Sequence, residues 1–134
     1  MRSLVYSAII ADAPLAALDV VAAGVLSGDG DTPEARPFLN LRWGLTRIGL
    51  SRTISDRQDL AIWVHDVGPS DYQRINAIIA RLRGLLMSIE DQVDPNGGRV
   101  TAVEWSGDSG DLVDDGHGTI VRNTNFVLIG RGEG

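Results

Sequence analysis

Seven apolar residues recur at helical spacing in the middle of the chain and predict its longest helix. Counted from Ile75, they stand at offsets 0, 3, 4, 7, 10, 11 and 14, which fits one face of an α-helix. Ser70 and Gln73 have the spacing of a capping box ahead of this run, so the helix is expected to start there. A single apolar stripe predicts packing on one side only. The seven residues are Ile75, Ile78, Ile79, Leu82, Leu85, Leu86 and Ile89.

Alternating or apolar-rich runs predict two strands before this helix and two after it. An amphipathic helix is predicted over residues 3–11, and Pro14 ends it. Residues 24–37 are rich in Gly, Pro and acidic residues and are expected to form a loop. Residues 45–57 fit either a long hairpin arm or a loop. The four predicted strands span residues 38–44, 58–66, 99–105 and 119–130.

The predicted element order is therefore α-β-β-α-β-β. Hairpin-like connections between the paired strands favour an antiparallel arrangement. We predict an α+β fold with a mainly antiparallel sheet of four or five strands and helices packed on it. The length of 134 residues suits one domain, which we assign to residues 1–134.

Composition excludes several classes of protein. The chain has no Cys, so disulfides and thiolate metal sites are excluded. Its 12 basic residues are all Arg, and 18 acidic residues give a net charge of −6, which argues against a surface that grips nucleic-acid phosphates. No apolar run is long enough for a bilayer span, so no membrane partner is expected. The first residues are expected to form a helix and not a signal peptide.

Residues 105–119, WSGDSGDLVDDGHGT, first suggest an active site. Gly107-Asp108-Ser109-Gly110 matches the surroundings of a serine-protease nucleophile. A serine nucleophile needs a base and an orienting acid, yet the chain holds only His65 and His117. His65 falls on a predicted strand, where a packed histidine is ordinary. The protease fold also needs two β-barrels, so no catalytic residue is assigned.

The same stretch offers carboxylates that suit Ca²⁺ or Mg²⁺, which leaves a metal-dependent hydrolase or a structural cation as alternatives. Its spacing lacks the ligand pattern of an EF-hand loop, and no His pair has zinc spacing. Gly, Asp and Ser are also turn formers. We therefore predict that loop 108–115 is a polar contact or shape-holding loop without a cofactor. Its candidate contact residues are Asp108, Asp111, Asp114 and Asp115.

Five segments, in this order and over most of the chain, resemble the tail terminator proteins of long-tailed bacteriophages, in particular phages that infect actinobacteria. The resemblance implies a non-enzymatic structural protein with a small mixed sheet flanked by helices. It implies a homo-hexameric ring in the virion, at the head-proximal end of the tail, assembled in the host cytoplasm. The segments are MRSLVYSAI at the start, RPFLNLRWG at 36–44, RQDLAIWVHD at 57–66, DYQRINAII at 71–79 and WSGDSGDLVDDGHGTIVRNTNFVLIG at 105–130.

Tail terminators end polymerisation of the tail tube and offer a joining surface to the head connector, so the implied partners are the tube protein, the connector and further copies of the chain. DNA is expected to pass an acidic channel without specific binding, with loops 28–34 or 108–115 facing it or a neighbouring ring. We predict Arg47 and Arg52 at the subunit interface, because arginine pairs bidentately with carboxylates of identical acidic subunits. A head-completion (head–tail joining) protein is the main alternative.

Overall fold

The described part of the chain contains three α-helices, one 3-10 turn (Ala22–Gly24) and six strands. A computed structural model describes residues 2–27, 37–47, 56–67, 72–93, 98–114, 116 and 118–131. None of its helices is long and apolar enough to cross a membrane. The elements are α1 (Arg2–Ala11), α2 (Ala13–Ala17), β1 (Val25–Ser27), β2 (Phe38–Arg47), β3 (Asp56–Val67), α3 (Gln73–Ser88), β4 (Arg99–Asp108), β5 (Leu112–Asp114) and β6 (Thr119–Arg131).

The strands form one mixed but mainly antiparallel sheet in the order β1-β2-β3-β6-β4. Only β1 and β2 are parallel among these pairs. Strand β3 occupies one edge of β6 over its whole length, so β4 and β5 share the other edge. There β5 pairs with residues 119–121 and β4 with residues 124–131. The antiparallel pairing of β2 with β3 and of β4 with β6 agrees with the predicted hairpin-like connections, and β6 lies between β3 and β4.

The hydrophobic core lies between one face of the sheet and the three helices. Helix α3 contacts β3, β4 and β6, and α1 and α2 pack against α3. Leu60, Ile62 and Val64 alternate along β3 and point into this core, as their period-2 spacing predicts. The core also contains Phe126 and Leu128 of β6.

The apolar stripe of α3 is confirmed, but its predicted start is wrong. Six of the seven stripe residues are buried, and Leu85 is half-buried against the core. The helix begins at Gln73, with Tyr72 at the N-cap position and no side-chain capping hydrogen bond. Ser70 lies outside the described residues, so its part in a capping box stays a prediction.

The described strands number six, and the prediction of four or five is wrong because two short ones lie inside predicted loops. Strand β1 falls in residues 24–37 and pairs with residues 39–41 of β2. Strand β5 falls in the acidic loop and pairs with β6. Three-residue strands have no measurable periodicity and depend on distant partners, so local sequence does not reveal them. Helix α2 was also not predicted, although Asp12 caps it by accepting a hydrogen bond from the Leu15 amide.

The sheet face opposite the helices holds a smaller cluster. The rings of Phe38 and His65 stack at 4.3 Å between centroids, with planes 7° apart. His65 is buried, and its Nδ1 lies 2.8 Å from the Thr119 hydroxyl. The packed histidine expected on this strand is thus observed, with a polar partner from β6.

Candidate assembly site

The described residues of the stretch 105–119 belong largely to the end of the sheet and do not form a plain loop. Strand β4 continues to Asp108, and a register shift against β6 lies between Trp105 and Gly107. Gly107 has φ of 129°, a backbone conformation that residues with side chains rarely adopt. Beyond this bulge lies β5, whose Leu112 carbonyl accepts a hydrogen bond from the Tyr72 hydroxyl.

Asp108 belongs to a compact triad with Trp105 and Arg83. Its carboxylate accepts hydrogen bonds from Trp105 Nε1 at 3.0 Å and from Arg83 Nη2 at 3.1 Å. The Arg83 guanidinium also lies 4.0 Å from the centre of the Trp105 ring, within cation–π range. The Asp108 side chain is 15% exposed, so most of it serves this internal contact between α3 and β4.

Arg122 of β6 contacts the segment that follows Asp108. Its Nε and Nη2 donate to the Ser109 carbonyl at 3.0 and 2.8 Å, and its Nη1 donates to Asn76 on α3. Asp111 lies 3.7 Å from Nε and is 62% exposed, which makes it the most accessible of the three described loop carboxylates. The Ser109 hydroxyl accepts a hydrogen bond from the Asn123 amide, so it extends the pairing with β6.

Asp114 lies beside the cluster of Phe38 and His65 on the sheet face opposite the helices. Its Oδ2 lies 3.9 Å from His65 Nδ1, the nitrogen that also contacts the Thr119 hydroxyl. A catalytic relay instead places the acid and the nucleophile on different nitrogens of the histidine. Here the acid and the hydroxyl both lie near the same nitrogen, which differs from that relay geometry.

The three described carboxylates of the acidic loop therefore diverge. Asp108 turns to Arg83, Asp111 to Arg122 and Asp114 to His65. No group of three His, Asp or Glu residues in the described ranges could hold a metal ion. The fourth candidate, Asp115, lies outside those ranges, as do His117 and the acidic loop 28–34. The predicted contact role of the loop stays open, with Asp111 as its most accessible described carboxylate.

The predicted interface arginines fall at or beyond the end of β2. Arg47 is the last residue of that strand, in register with Asp56 of β3, and its side chain lies outside the description. Arg52 also lies outside the described residues. Their interface role remains a prediction.

Sequence reasoning missed Arg83 and Arg122 as organisers of this region. Arg122 is the one charged residue in the sequence of residues 119–130, TIVRNTNFVLIG, and such an isolated charge in a strand signals a specific partner. Arg83 lies on α3 with Arg74 and Arg81, and helical periodicity alone places all three on or beside the solvated side of the helix. The structure instead gives each of these three a carboxylate partner from another element.

The sheet face opposite the helices carries an open groove of about 560 Å³, lined by both polar and apolar side chains. Arg42, Arg57 and Asp59 contribute charges of both signs, and Arg57 lies 3.3 Å from Asp59. A groove with paired charges and an open mouth suits contact with a protein surface better than enclosure of a small molecule.

Comparison with solved structures shows the fold. The chain is similar to a chain in the virion of a native gene transfer agent (GTA) particle, with a TM-score of 0.74 and 21% identity over 96% of this chain and 92% of that one. A second solved chain matches with a TM-score of 0.56 and 14% identity, over 96% and 95% of the two chains. No family model and no curated protein matches the sequence. Likeness at these identities establishes a shared fold over nearly the whole chain.

Proposed function

We propose that this chain is a structural virion protein that acts as a tail terminator. Six copies form a ring on the head-proximal end of the tail tube, end its polymerisation and present a joining surface to the head connector. The chain acts without a cofactor and without catalysis.

One observation carries the proposal: the fold is shared, over 96% of this chain, with a chain of a gene transfer agent virion. The sequence resemblance to tail terminators points in the same direction and adds the specific role. Coverage of 92% of the virion chain means that the similarity extends beyond a common substructure.

Charge and site geometry support a structural role. Each copy carries a net charge of −6, so a ring around a channel would repel the DNA that passes through it. In the described ranges, the carboxylates of the acidic loop are turned to separate basic residues and do not converge on a reacting group. A metal-dependent hydrolase would need such convergence.

The proposal is tested by adding the purified chain to tubes assembled from the tail-tube protein of the same genome. Electron microscopy is expected to show a ring at one end of each tube, with sixfold symmetry in averaged end views. The double variant Arg47→Ala, Arg52→Ala is expected to lose the ring, because it removes the proposed bidentate contacts between subunits.

Arg99→Ala serves as the matched control, since the Arg99 side chain is 55% exposed and its ion pair with Asp91, at 3.7 Å, is also exposed. This control should form rings as the wild type does. Rings that bind the connector but leave both tube ends bare would favour the head-completion protein instead. Unaltered rings from the double variant would remove Arg47 and Arg52 from the interface.

A further inference from the structure

A small pocket lies between the start of α1 and strands β1 and β2. Its volume is about 250 Å³, below the roughly 300–1,000 Å³ of sites for drug-sized ligands, so it suits a single side chain. Leu41 and Trp43 give it apolar surface, and Arg2 is the one charged residue among those that line it. We call it the Arg2 pocket. Its hydroxyl-bearing residues are Ser3, Tyr6, Ser7 and Ser27.

The Arg2 guanidinium is held at this pocket by two neutral side chains. Its Nε donates a hydrogen bond to Gln58 Oε1 at 3.0 Å. Its central carbon lies 5.4 Å from the centre of the Trp43 ring, within cation–π range. Gln58 is 6% exposed on β3, so the core fixes this support. Both contacts position the guanidinium, and neither cancels its positive charge.

Arg2 differs in this respect from six other arginines of the chain. Each of those six forms an ion pair with a carboxylate, whereas no carboxylate in the described ranges forms an ion pair with Arg2. As far as those ranges extend, a chain with 18 acidic residues leaves this fixed positive charge without a counter-charge of its own. The six paired arginines are Arg57, Arg74, Arg81, Arg83, Arg99 and Arg122.

An acidic side chain fits this arrangement. Because Gln58 accepts the hydrogen bond from Nε, the Nη1 and Nη2 end of the Arg2 guanidinium can donate two parallel hydrogen bonds to one carboxylate. Serine and tyrosine hydroxyls can donate further hydrogen bonds to its oxygens. The methylene stem of a glutamate would pack on Leu41 and Trp43. A nucleic-acid phosphate is disfavoured, because a net charge of −6 repels a polyanion.

We propose that the Arg2 pocket binds an acidic side chain, a glutamate, that a partner protein presents. A partner carboxylate gains charge-assisted hydrogen bonds from a guanidinium whose position is already fixed, so little side-chain entropy is lost on binding. The inference goes beyond the proposed ring and does not depend on it, since charge complementarity at Arg2 carries it.

The test titrates isotope-labelled protein with the blocked peptide acetyl-Gly-Gly-Glu-Gly-Gly-amide, followed by NMR. The indole N–H of Trp43 and the amide of Ser7 are expected to shift in a saturable way, with a dissociation constant in the millimolar range. The same peptide with Gln in place of Glu should leave both signals unchanged. Arg2→Gln is expected to weaken binding at least about tenfold, because the bidentate contact is lost. Arg57→Gln is the matched control and should bind as the wild type does, since Arg57 is 46% exposed and already paired with Asp59.

Circular dichroism checks the fold of each variant. Should Arg2→Gln fail to fold, Arg2→Lys keeps the charge, loses the planar fork and is expected to bind several-fold more weakly than the wild type. Absence of a saturable shift up to about 50 mM peptide would overturn the inference, as would equal binding of the Glu and Gln peptides. Inorganic phosphate that binds as tightly as the Glu peptide would also overturn it, because the site would not select a carboxylate.

Two further outcomes would uphold the inference. If the same signals shift with the concentration of the chain alone, and Arg2→Gln abolishes this shift, a second copy supplies the acidic side chain. If the Glu peptide binds through Arg2 in a protein that leaves tail tubes uncapped, the pocket stands and the terminator role falls.

Discussion

Replacing Asp66 with asparagine is expected to lower the free energy of unfolding by about 3 kcal/mol. Asp66 is 3% exposed at the end of β3, and its carboxylate accepts hydrogen bonds from Arg74 Nε and Nη2 at 2.6 and 2.5 Å. It also accepts a hydrogen bond from the Val67 amide. The asparagine side chain would place an N–H donor beside the N–H donors of the Arg74 guanidinium. It would also remove the negative charge of the carboxylate that pairs with this guanidinium.

Asp19→Asn is the matched control for this prediction. Asp19 binds the same arginine, through Nη1 at 2.9 Å, but its side chain is 69% exposed. An exposed ion pair contributes roughly 0–1 kcal/mol, so this control should change stability little. Asparagine also tolerates the positive φ of 68° at this position. The free energy of unfolding of both variants is measured by denaturant titration. Equal losses of unfolding free energy in the two variants would show that burial does not set the strength of the Arg74 contacts.

Replacing Asp12 with alanine is expected to lower the free energy of unfolding by about 2 kcal/mol. Asp12 caps α2 through the Leu15 amide and accepts two hydrogen bonds from Arg81 on α3. It therefore holds the N-terminal helices against the long helix. Asp12→Asn keeps a capping side chain, so it should cost about 1 kcal/mol less than Asp12→Ala. Asp111→Ala, at a 62%-exposed carboxylate, should be nearly neutral.

The Asp12 contribution should depend on pH. Hydrogen bonds from Arg81 hold the pKa of Asp12 below the ordinary aspartate value of 3.8. The folded state therefore favours the ionised carboxylate, and its stabilisation is fully present above the unfolded pKa and lost as the pH falls through the folded pKa. The stability gap between the wild type and Asp12→Asn should stay constant near neutral pH and shrink below about pH 4. A gap that widens in acid would contradict the assigned sign.

Local periodicity predicted the elements whose packing repeats along the sequence. Two patterns predict which face of an element is buried, because that face must pack on the core. They are the stripe from Ile75 to Ile89 and the alternation of Leu60, Ile62 and Val64. The sheet order could not be predicted in this way. Insertion of β6 between β3 and β4 depends on pairing between distant segments, for which no local pattern exists.

The candidate site was predictable in composition but not in geometry. The sequence shows four Asp residues within residues 108–115, and their spacing alone permits convergence on a cation. Whether they converge depends on Arg83 and Arg122, which come from α3 and β6 and draw Asp108 and Asp111 apart.

The terminator role is tested most directly by the length of the tubes that form in the presence of this chain. Tail-tube protein is polymerised with increasing amounts of the chain, and tube lengths are measured by electron microscopy. A protein that ends polymerisation shortens the mean length as its ratio to tube protein rises, and stops further growth when fresh tube protein is added to finished tubes. Tubes that keep the same length distribution at every ratio, and that elongate again after addition, would contradict the account.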